Sequence, residues 1–368
     1  MRLLHTTLPS LKSVQLYGYG LPLRRPLTTQ TNSKHAARMR RGLLVALHSK
    51  QGDIGWGDIA PLPGLHAECM QQAKQQAICL LQQLLHHAAG AEGYEMYNAA
   101  AAASCVRWGI DTALAHLQQQ QQPTILCSHV ALNALVPPGD CRQMRAHAQQ
   151  LLHAGHKCLK LKVGHLLPLA AAGLLQHIYR LSQCYGATIR LDMGQQWSLQ
   201  QALLFGQHIS PHWIEYAEEP LTNPQHIPQL HAHSGIWCAL DDTLHKMPAK
   251  QWIALRGVRA WVVKPSLLPG GLPQCHKLQQ QAHKRKIDLI LSSCFDSSLG
   301  LRHLAYLAAT LSPTPAAAGL LTSCWFSADV MPSLPVAKGM VHLPTLMQQL
   351  NRFDARHSPA CRVLWQRD

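Results

Sequence analysis

The sequence predicts an α/β protein, a (β/α)8-type barrel with an N-terminal α+β capping domain that the C-terminal segment completes. Three observations predict it. Short β-branched or apolar runs begin near His129, Cys158, Thr188, Trp213, Trp237, Ala260, Asp288 and Gly319. Successive runs are roughly 23 to 30 residues apart with a helix-like stretch between them, the repeat that eight strand–helix units require. No glycine-rich phosphate turn follows an early strand, as a doubly wound open sheet would need, and residues 1–100 follow a different, α+β pattern.

In that first part, Ser13–Leu23 and Leu43–His48 read as strands. The second leads through Lys50-Gln51-Gly52-Asp53 into Ile54–Ile59, and Gly and Asp in the connection suit a hairpin. A helix is expected from about Ala67 to His87, because Ala73, Ala77, Leu80, Leu81, Leu84 and Leu85 recur at three- and four-residue steps. Asn98 and the run Ala99–Ala103 introduce a second helix, which Gln118–Gln122 and Pro123 end; the glutamine run reads as a solvated helix end or loop. Residues 1–100 are thus taken as the cap, 101–333 as the barrel, and 334–368, mixed polar with Pro and Gly, as a segment returning to the cap.

Of 368 residues, 47% are hydrophobic and 14% charged, enough apolar material for a full core, which excludes general disorder. No apolar run approaches the ~18 residues a membrane helix needs. The N-terminus has no apolar stretch before a small-residue cleavage site, so a cytoplasmic protein is expected. Lys and Arg total 33 against 18 acids, a formal charge of +15. The basic residues are scattered, with Arg38, Arg40 and Arg41 the densest group in what reads as a loop, so the excess is read as a solvated surface rather than a nucleic-acid footprint. Twelve cysteines form no C-x-x-C pair, and Cys79, Cys105, Cys158 and Cys238 lie in apolar stretches as small hydrophobes, in keeping with a reducing compartment. The histidine pairs His86/His87 and His231/His233 lack helical ligand spacing with a carboxylate and read as solvated or structural.

With so few acids, their placement is informative. Barrel enzymes carry their chemistry at the C-terminal ends of the strands. Those ends hold Lys160 and Lys162, then Arg190 and Asp192, then Glu218 and Glu219, then Asp241 and Asp242, then Lys264. Strand side chains alternate, so Lys160 and Lys162 point one way; outward they would place two ammonium groups under the helices, whereas inward they reach a polar mouth. Arg190 and Asp192 share a face for the same reason. Three carboxylates converging on a point repel unless a cation lies between them, and all-oxygen ligation favours a hard ion, Mg2+ with Mn2+ as a substitute. A lysine beside another cation, the metal and desolvated surroundings has its pKa lowered and becomes a usable base. The constellation therefore points to proton abstraction beside a carboxylate.

These residues resemble the enolase superfamily and, more closely, the o-succinylbenzoate synthases of menaquinone biosynthesis. The resemblance runs through Gly55-Trp56-Gly57-Asp58-Ile59-Ala60-Pro61-Leu62-Pro63-Gly64, the K-x-K of Lys160 and Lys162, the L-D of Asp192, the E-x-P of Glu218, the D-[DE]-[ST] of Asp241, the K-P of Lys264 and Ser292-Ser293-Cys294-Phe295-Asp296-Ser297-Ser298-Leu299-Gly300. It implies that Asp192, Glu218 and Asp241 ligate Mg2+, with Glu219 and Asp242 behind them. It implies that Lys162 removes the α proton, Lys160 tunes it, and Lys264 stabilises the intermediate from the opposite face by a cation–π contact. Arg190, Ser292 and Ser293 are the expected substrate-binding residues. The implied reaction is loss of water from SHCHC (2-succinyl-6-hydroxy-2,4-cyclohexadiene-1-carboxylate) to give o-succinylbenzoate, with the cap closing the mouth and the loop around Arg38–Arg41 excluding water, meeting the succinyl carboxylate or merely lying on the surface.

The chain departs from the family pattern at Gly194, where Asn is common, at Cys294, where a third serine is usual, and at Asp58, where Glu is usual. Lysines on both faces also permit two-base chemistry, so an N-acylamino acid racemase or dipeptide epimerase is the alternative. Against the latter, Leu321-Thr322-Ser323-Cys324-Trp325-Phe326 offers no acid to hold an ammonium group. A basic binding protein without turnover is a third reading. The expected partner is a small dicarboxylate, with no nucleic acid and no membrane span, in a monomer or homo-oligomer.

Overall fold

The computed structural model describes residues 10–27, 37–88, 102–121 and 125–368. The N-terminal residues 1–9, the expected helix lead-in Asn98–Ala101 and the helix stop at Gln122–Pro123 lie outside them. Strands β1 (Leu11–Leu27), β2 (Ala37–Ser49) and β3 (Ile54–Ile59) are joined by the C-terminal β13 (Cys361–Arg367) in a four-stranded sheet of order β13-β1-β2-β3. The β2–β3 turn closes as its residues require: Ser49 N donates to the Asp53 carbonyl at 2.9 Å, and Gly52 takes φ +99°.

Helices α1 (Met70–Ala88) and α2 (Ser104–Gln121) cover one face of this sheet, burying Val14, Leu16, Leu43, Val45, Leu47, Ala77, Leu81 and Val106 among them. The approach of α2 explains the G-W-G sequence. A Cβ at Gly55 would lie 2.2 Å from the Ala113 carbonyl oxygen, and one at Gly57 1.9 Å from that of Gly109, so only glycine fits. Trp56 faces the other way and packs edge-on to Phe353 at 4.9 Å.

The second unit begins with β4 (His129–Ala131) and β5 (Ala134–Val136). It continues through α3 (Cys141–His153), β6 (Cys158–Lys162), α4 (Pro168–Gln183), β7 (Thr188–Asp192), α5 (Leu199–Gly206), β8 (Tyr216–Glu218) and α6 (Ile227–Ser234). Then come β9 (Cys238–Leu240), α7 (Thr243–Lys246), α8 (Ala249–Ile253), β10 (Val258–Val263), α9 (Gly271–Arg285), β11 (Asp288–Leu291) and α10 (Ser298–Leu311). After α10 the chain forms β12 (Met340–His342) and α11 (Leu343–Asn351) before β13. Asp140 and Ser198 start α3 and α5 with reciprocal capping boxes closed by Gln143 and Gln201.

Strands β5 to β11 form one seven-stranded sheet in sequence order, with parallel pairing throughout. Two expectations are corrected here. The run near His129 is not the first sheet strand: β4 pairs antiparallel with β12, and β5 opens the sheet. The run near Gly319 is not a strand but two bridges, Leu132 to Ala318 and Ser292 to Gly319. Pro315, three alanines and a glycine offer no β-branched side chains there to carry a longer ladder. Ala318 N nevertheless donates to the Ala131 carbonyl and Gly319 N to that of Leu291, each at 2.8 Å, so this short segment bonds to β11 at one edge of the sheet and to β4, just ahead of β5, at the other.

Alternation sorts the strand residues. Leu159, Leu161, Ile189, Leu191, Leu240 and Val263 bury outward against the helices, whereas Tyr216, Ala239, Val262 and Ile290 cluster separately on the inner face. Cys105, Cys158 and Cys238 are buried, but Cys79 is exposed on α1. Among the described residues no helix is long and apolar enough to cross a membrane.

Candidate active site

Register places the charged residues. Lys162 pairs with Asp192, and Asp192 with Glu218, so three adjacent strands end with these side chains at one level of the inner face. Asp241 follows β9 and Lys264 follows β10. All five, with Lys160, line a cavity of about 650 Å³ whose walls also include Arg25, Leu65, His147, Phe295 and Trp325, a size suited to a small ligand.

Within it the ammonium groups alternate with the carboxylates. Lys160 Nζ lies 2.6 Å from Glu218 Oε1 and 3.1 Å from Asp192 Oδ2, and Lys162 Nζ is 3.0 Å from Asp192 Oδ2. On the other side Lys264 Nζ is 2.5 Å from Asp241 Oδ1. Lys160 and Lys264 are nearly buried, whereas the Lys162 side chain is 46% exposed and open to a ligand.

Burial alone would discharge these groups; the pairing reverses it. Desolvation works against the Lys160 ammonium, but Asp192, Glu218 and Asp241 outweigh it and hold its pKa well above the usual lysine value. Lys264 is likewise raised, with Asp241 overcoming desolvation. The expected lowering of lysine pKa by neighbouring cations is therefore not what the carboxylates impose on these two. Burial also opposes ionisation of Asp192, yet Lys160 and Lys162 carry it below the ordinary carboxylate range. Glu218 goes the other way, to about 7, chiefly by burial and then by the charges of Asp192 and Asp241, against the pull of Lys160.

Glu218 also tests whether this set fits a metal. Its Oε2 is buried without a hydrogen-bond partner. An orphaned carboxylate oxygen beside two further carboxylates is what a hard divalent ion would satisfy, so the residues fit one. A tighter grouping of ligand-type atoms, His66, Glu68 and Cys105, lies elsewhere, within 4.8 Å of one another. There the His66 Nδ1 accepts from Leu62 N, its Nε2 lies against the Ser266 carbonyl, and burial drives the Cys105 thiol far from ionisation, so that group is structural.

Glu219 does not face the cluster but fixes the loop that carries Asp241. Its Oε1 accepts from Asp241 N and Thr243 N at 2.7 and 2.8 Å, and its Oε2 from Gln195 Nε2 and Thr243 Oγ1 at 2.8 and 2.7 Å. Both Gln195 and Glu219 sit in the left-handed region, at φ +61° and +43°, conformations of order 1 kcal/mol above the usual for such residues. An amide is thus present next to Gly194, though it turns to Glu219. Asp242 lies at the cavity edge and pairs with Lys246 at 2.8 Å. Ser292 and Ser293 line the cavity, and Ser293 Oγ shares a hydrogen bond with Thr322 Oγ1 at 2.8 Å.

Arg190 is not brought to the site. It shares a face with Asp192 but stands one level lower, where Nε donates to Glu215 Oε2 and Nη1 to the Ala317 carbonyl. Its side chain borders a separate cavity of about 240 Å³ with Lys157 and Arg259. The Arg38–Arg41 group is not a loop but part of β2, and Arg40 is buried. Its guanidinium donates to the carbonyls of Ala60 and Pro61 in the cap and of Phe295 and Cys294 beside the cavity. Nothing in the local sequence signals that role. Phe295 and Trp325 also line the cavity and pack edge-on at 5.2 Å, a pairing of residues thirty positions apart that no local pattern signals.

Comparison with known proteins agrees with this geometry. Residues 143–347 match the family described as Enolase C-terminal domain-like, whose superfamily binds a divalent metal, and residues 11–117 match the MenC N-terminal domain. An o-succinylbenzoate synthase from Yersinia pseudotuberculosis serotype I is 33% identical over 307 residues, covering 82% of this chain and 88% of that protein; one from Yersinia pestis strain Pestoides F matches equally. Among solved structures, the L-Ala-D/L-Glu epimerase from Bacillus subtilis superposes with a TM-score of 0.74 at 17% identity, over 91% of this chain and 96% of that one. The N-succinyl Arg/Lys racemase from Bacillus cereus gives 0.71 at 16%, over 97% and 100%. At such identities the structures share the fold alone. The sequence relatives go further: the chain belongs to the o-succinylbenzoate synthases, lyase enzymes of the enolase superfamily.

Proposed function

We propose that this enzyme removes water from SHCHC to give o-succinylbenzoate, with residues 101–333 as a closed (β/α)8 catalytic unit under a cap made by 1–100 and 334–368. The observation that carries the reading is the half-exposed Lys162 facing a carboxylate set with Lys264 on the far side. In this reading Lys162 Nζ accepts the proton α to the ring carboxylate, the carbon–oxygen bond to the hydroxyl breaks, and the hydroxyl leaves as water with a proton returned from Nζ. Lys160, fixed between Asp192 and Glu218, keeps positive charge under the reacting face. Lys264 supplies the opposing charge where negative charge develops, the kind of preorganised contact whose loss typically costs roughly 3–4 kcal/mol. Asp192, Glu218 and Asp241 would hold Mg2+, or Mn2+ in its place, which supplies fixed positive charge for the substrate carboxylate. Ser292 and Ser293 are assigned to the substrate from their place on the cavity wall. Glu219 and Asp242 support the ligand loop.

An epimerase of dipeptides would need an acid for the substrate ammonium, and the wall segment Leu321–Trp325 offers only Thr322, Ser323 and Cys324 as polar groups. The test is conversion of SHCHC by the purified protein, followed by the aromatic absorbance of the product, with Mg2+ and after chelation. Turnover that requires the metal is expected. Absence of turnover with Mg2+ present, together with solvent deuterium uptake into N-succinyl amino acids, would overturn it.

A further inference from the structure

The cavity wall carries a further cation, supplied by the cap strand β1. The last part of β1 crosses from the cap onto the segment after the sheet: Leu23 bridges Phe326, and Ser327 N donates to the Pro22 carbonyl at 2.9 Å. Arg24 spends its guanidinium on this junction, its Nε donating to the Phe326 carbonyl at 2.9 Å. Arg25, the next residue, makes a different contact. Its guanidinium carbon lies 3.6 Å from the centroid of the Trp325 ring, and both residues border the cavity. Trp325 is itself held edge-on by Phe295 at 5.2 Å, and the Phe295 carbonyl is held by Arg40, so the shelf under Arg25 is braced through Phe295.

We propose that Arg25 takes the substrate's distal, side-chain carboxylate, so that the cavity selects a dicarboxylate by charge at both ends; this rests on the reaction proposed above. Stacking covers one face of the guanidinium and leaves its N–H edges free for a two-point contact with a carboxylate. Among the described residues Arg25 makes no ion pair, whereas Lys160, Lys162 and Lys264 are each committed to carboxylates. The same cavity is also lined by Leu65, Leu151, Phe295 and Trp325, and a second carboxylate held against such apolar surface without a partner would be strongly disfavoured. Holding that carboxylate binds ground state and transition state alike, so the contact acts on affinity rather than on the chemical step.

The experiment compares binding of o-succinylbenzoate with binding of its analogue bearing a neutral amide in place of the distal carboxylate, in the Mg2+-loaded protein by calorimetry. The wild type is expected to prefer the dicarboxylate by about 10- to 100-fold, Arg25→Gln to lose that preference while keeping its affinity for the amide, and Arg25→Lys to keep part of it. With SHCHC, Arg25→Gln is expected to raise KM by a similar factor and leave kcat within about threefold. A preference that is absent in the wild type or survives in Arg25→Gln overturns the assignment, as does loss of both ligands in Arg25→Gln and Arg25→Lys alike, which would make Arg25 structural. Binding needs no turnover, so a wild type that prefers the dicarboxylate yet leaves SHCHC unchanged would count against the reaction and not against Arg25.

Discussion

Asp58, on the last cap strand, caps the first turn of α10 in the other unit: its Oδ2 accepts the Ser297 backbone N–H at 3.1 Å and the Ser297 hydroxyl at 2.7 Å. Its Oδ1 accepts the Tyr19 hydroxyl at 2.8 Å. Burial pushes the Asp58 carboxyl upward, and the hydrogen bonds from Ser297 and Tyr19 pull it back. Asp58→Ala leaves these donors buried and unmet and is expected to cost about 3 kcal/mol in urea unfolding. A Cβ at Gly300 would stand 2.6 Å from Asp58 Oδ2 and 2.9 Å from Asp296 Cβ, so Gly300→Ala is expected to cost at least as much. Because both changes strike the same contact, the double variant should lose clearly less than their sum.

Arg40 joins the same two units by a different means. Its charge is buried against carbonyls, with Asp58 and Asp296 near enough that Arg40 moderates the upward shift burial imposes on each. Arg40→Met removes the donors and leaves the Ala60, Pro61 and Phe295 carbonyls without them, and a loss of about 3 kcal/mol is expected. Arg40→Lys should recover little, since one ammonium cannot reach carbonyls on both sides. Thermal unfolding of the two variants, read with the rate of SHCHC turnover, checks this: the Phe295 wall is expected to loosen and KM to rise.

Much of the site was legible because strand alternation acts on charges that cannot be buried outward. Lys160 and Lys162 had to face inward, and the carboxylates of Asp192 and Glu218 lie in register with Lys162. Alternation gives the face of a residue but not its height, which is why Arg190 was misplaced: it is on the right face, one level down, and paired with Glu215. Apolar residues and spacing predict a strand beginning near Gly319, but Ala318 and Gly319 make only isolated bridges, because the segment holds no β-branched pattern that would extend them. Arg40 was illegible for another reason. Its partners lie 20 and 255 positions away, and next to Arg38 and Arg41 it looked like surface charge.

Lys162 separates chemistry from stability. Its side chain is 46% exposed, and its recorded partner is Asp192, which Lys160 also neutralises. Lys162→Ala is therefore expected to lower kcat by about 10³-fold or more, the scale of a lost general base, while moving the unfolding midpoint only slightly. Mg2+ should still raise the thermal midpoint of the variant, because Asp192, Glu218 and Asp241 are intact. Retained turnover would remove Lys162 from the chemistry, and a collapse in stability would make it structural.

A buried histidine pair sets the acid limit of the fold. His303 and His116 lie with ring centroids 5.8 Å apart, and His303 Nε2 has no partner. Burial, then the neighbouring His116, drives His303 from 6.5 to about 3, and a backbone hydrogen bond to Trp56 offsets only part of this. His116, whose Nδ1 accepts from Trp56 N while Nε2 bonds Asn351 Oδ1, falls to about 4 by burial. As pH drops below 6.5 the unfolded chain protonates at both positions while the folded protein does not, so the unfolded state binds more protons and stability falls towards the folded values. Asp296, raised to about 6 by burial, runs the opposite way between pH 6 and 3.8, so the net slope of the wild type does not isolate the histidines. The variant difference does. His303→Phe keeps an aromatic ring and removes the proton site, and at pH 7 it should lie within about 1–2 kcal/mol of the wild type. Between pH 7 and pH 5 it should lose about 2 kcal/mol less than the wild type, one and a half pKa units at one site. Urea unfolding at the two pH values measures the difference, and parallel losses in both proteins would show that His303 is not neutral in the fold.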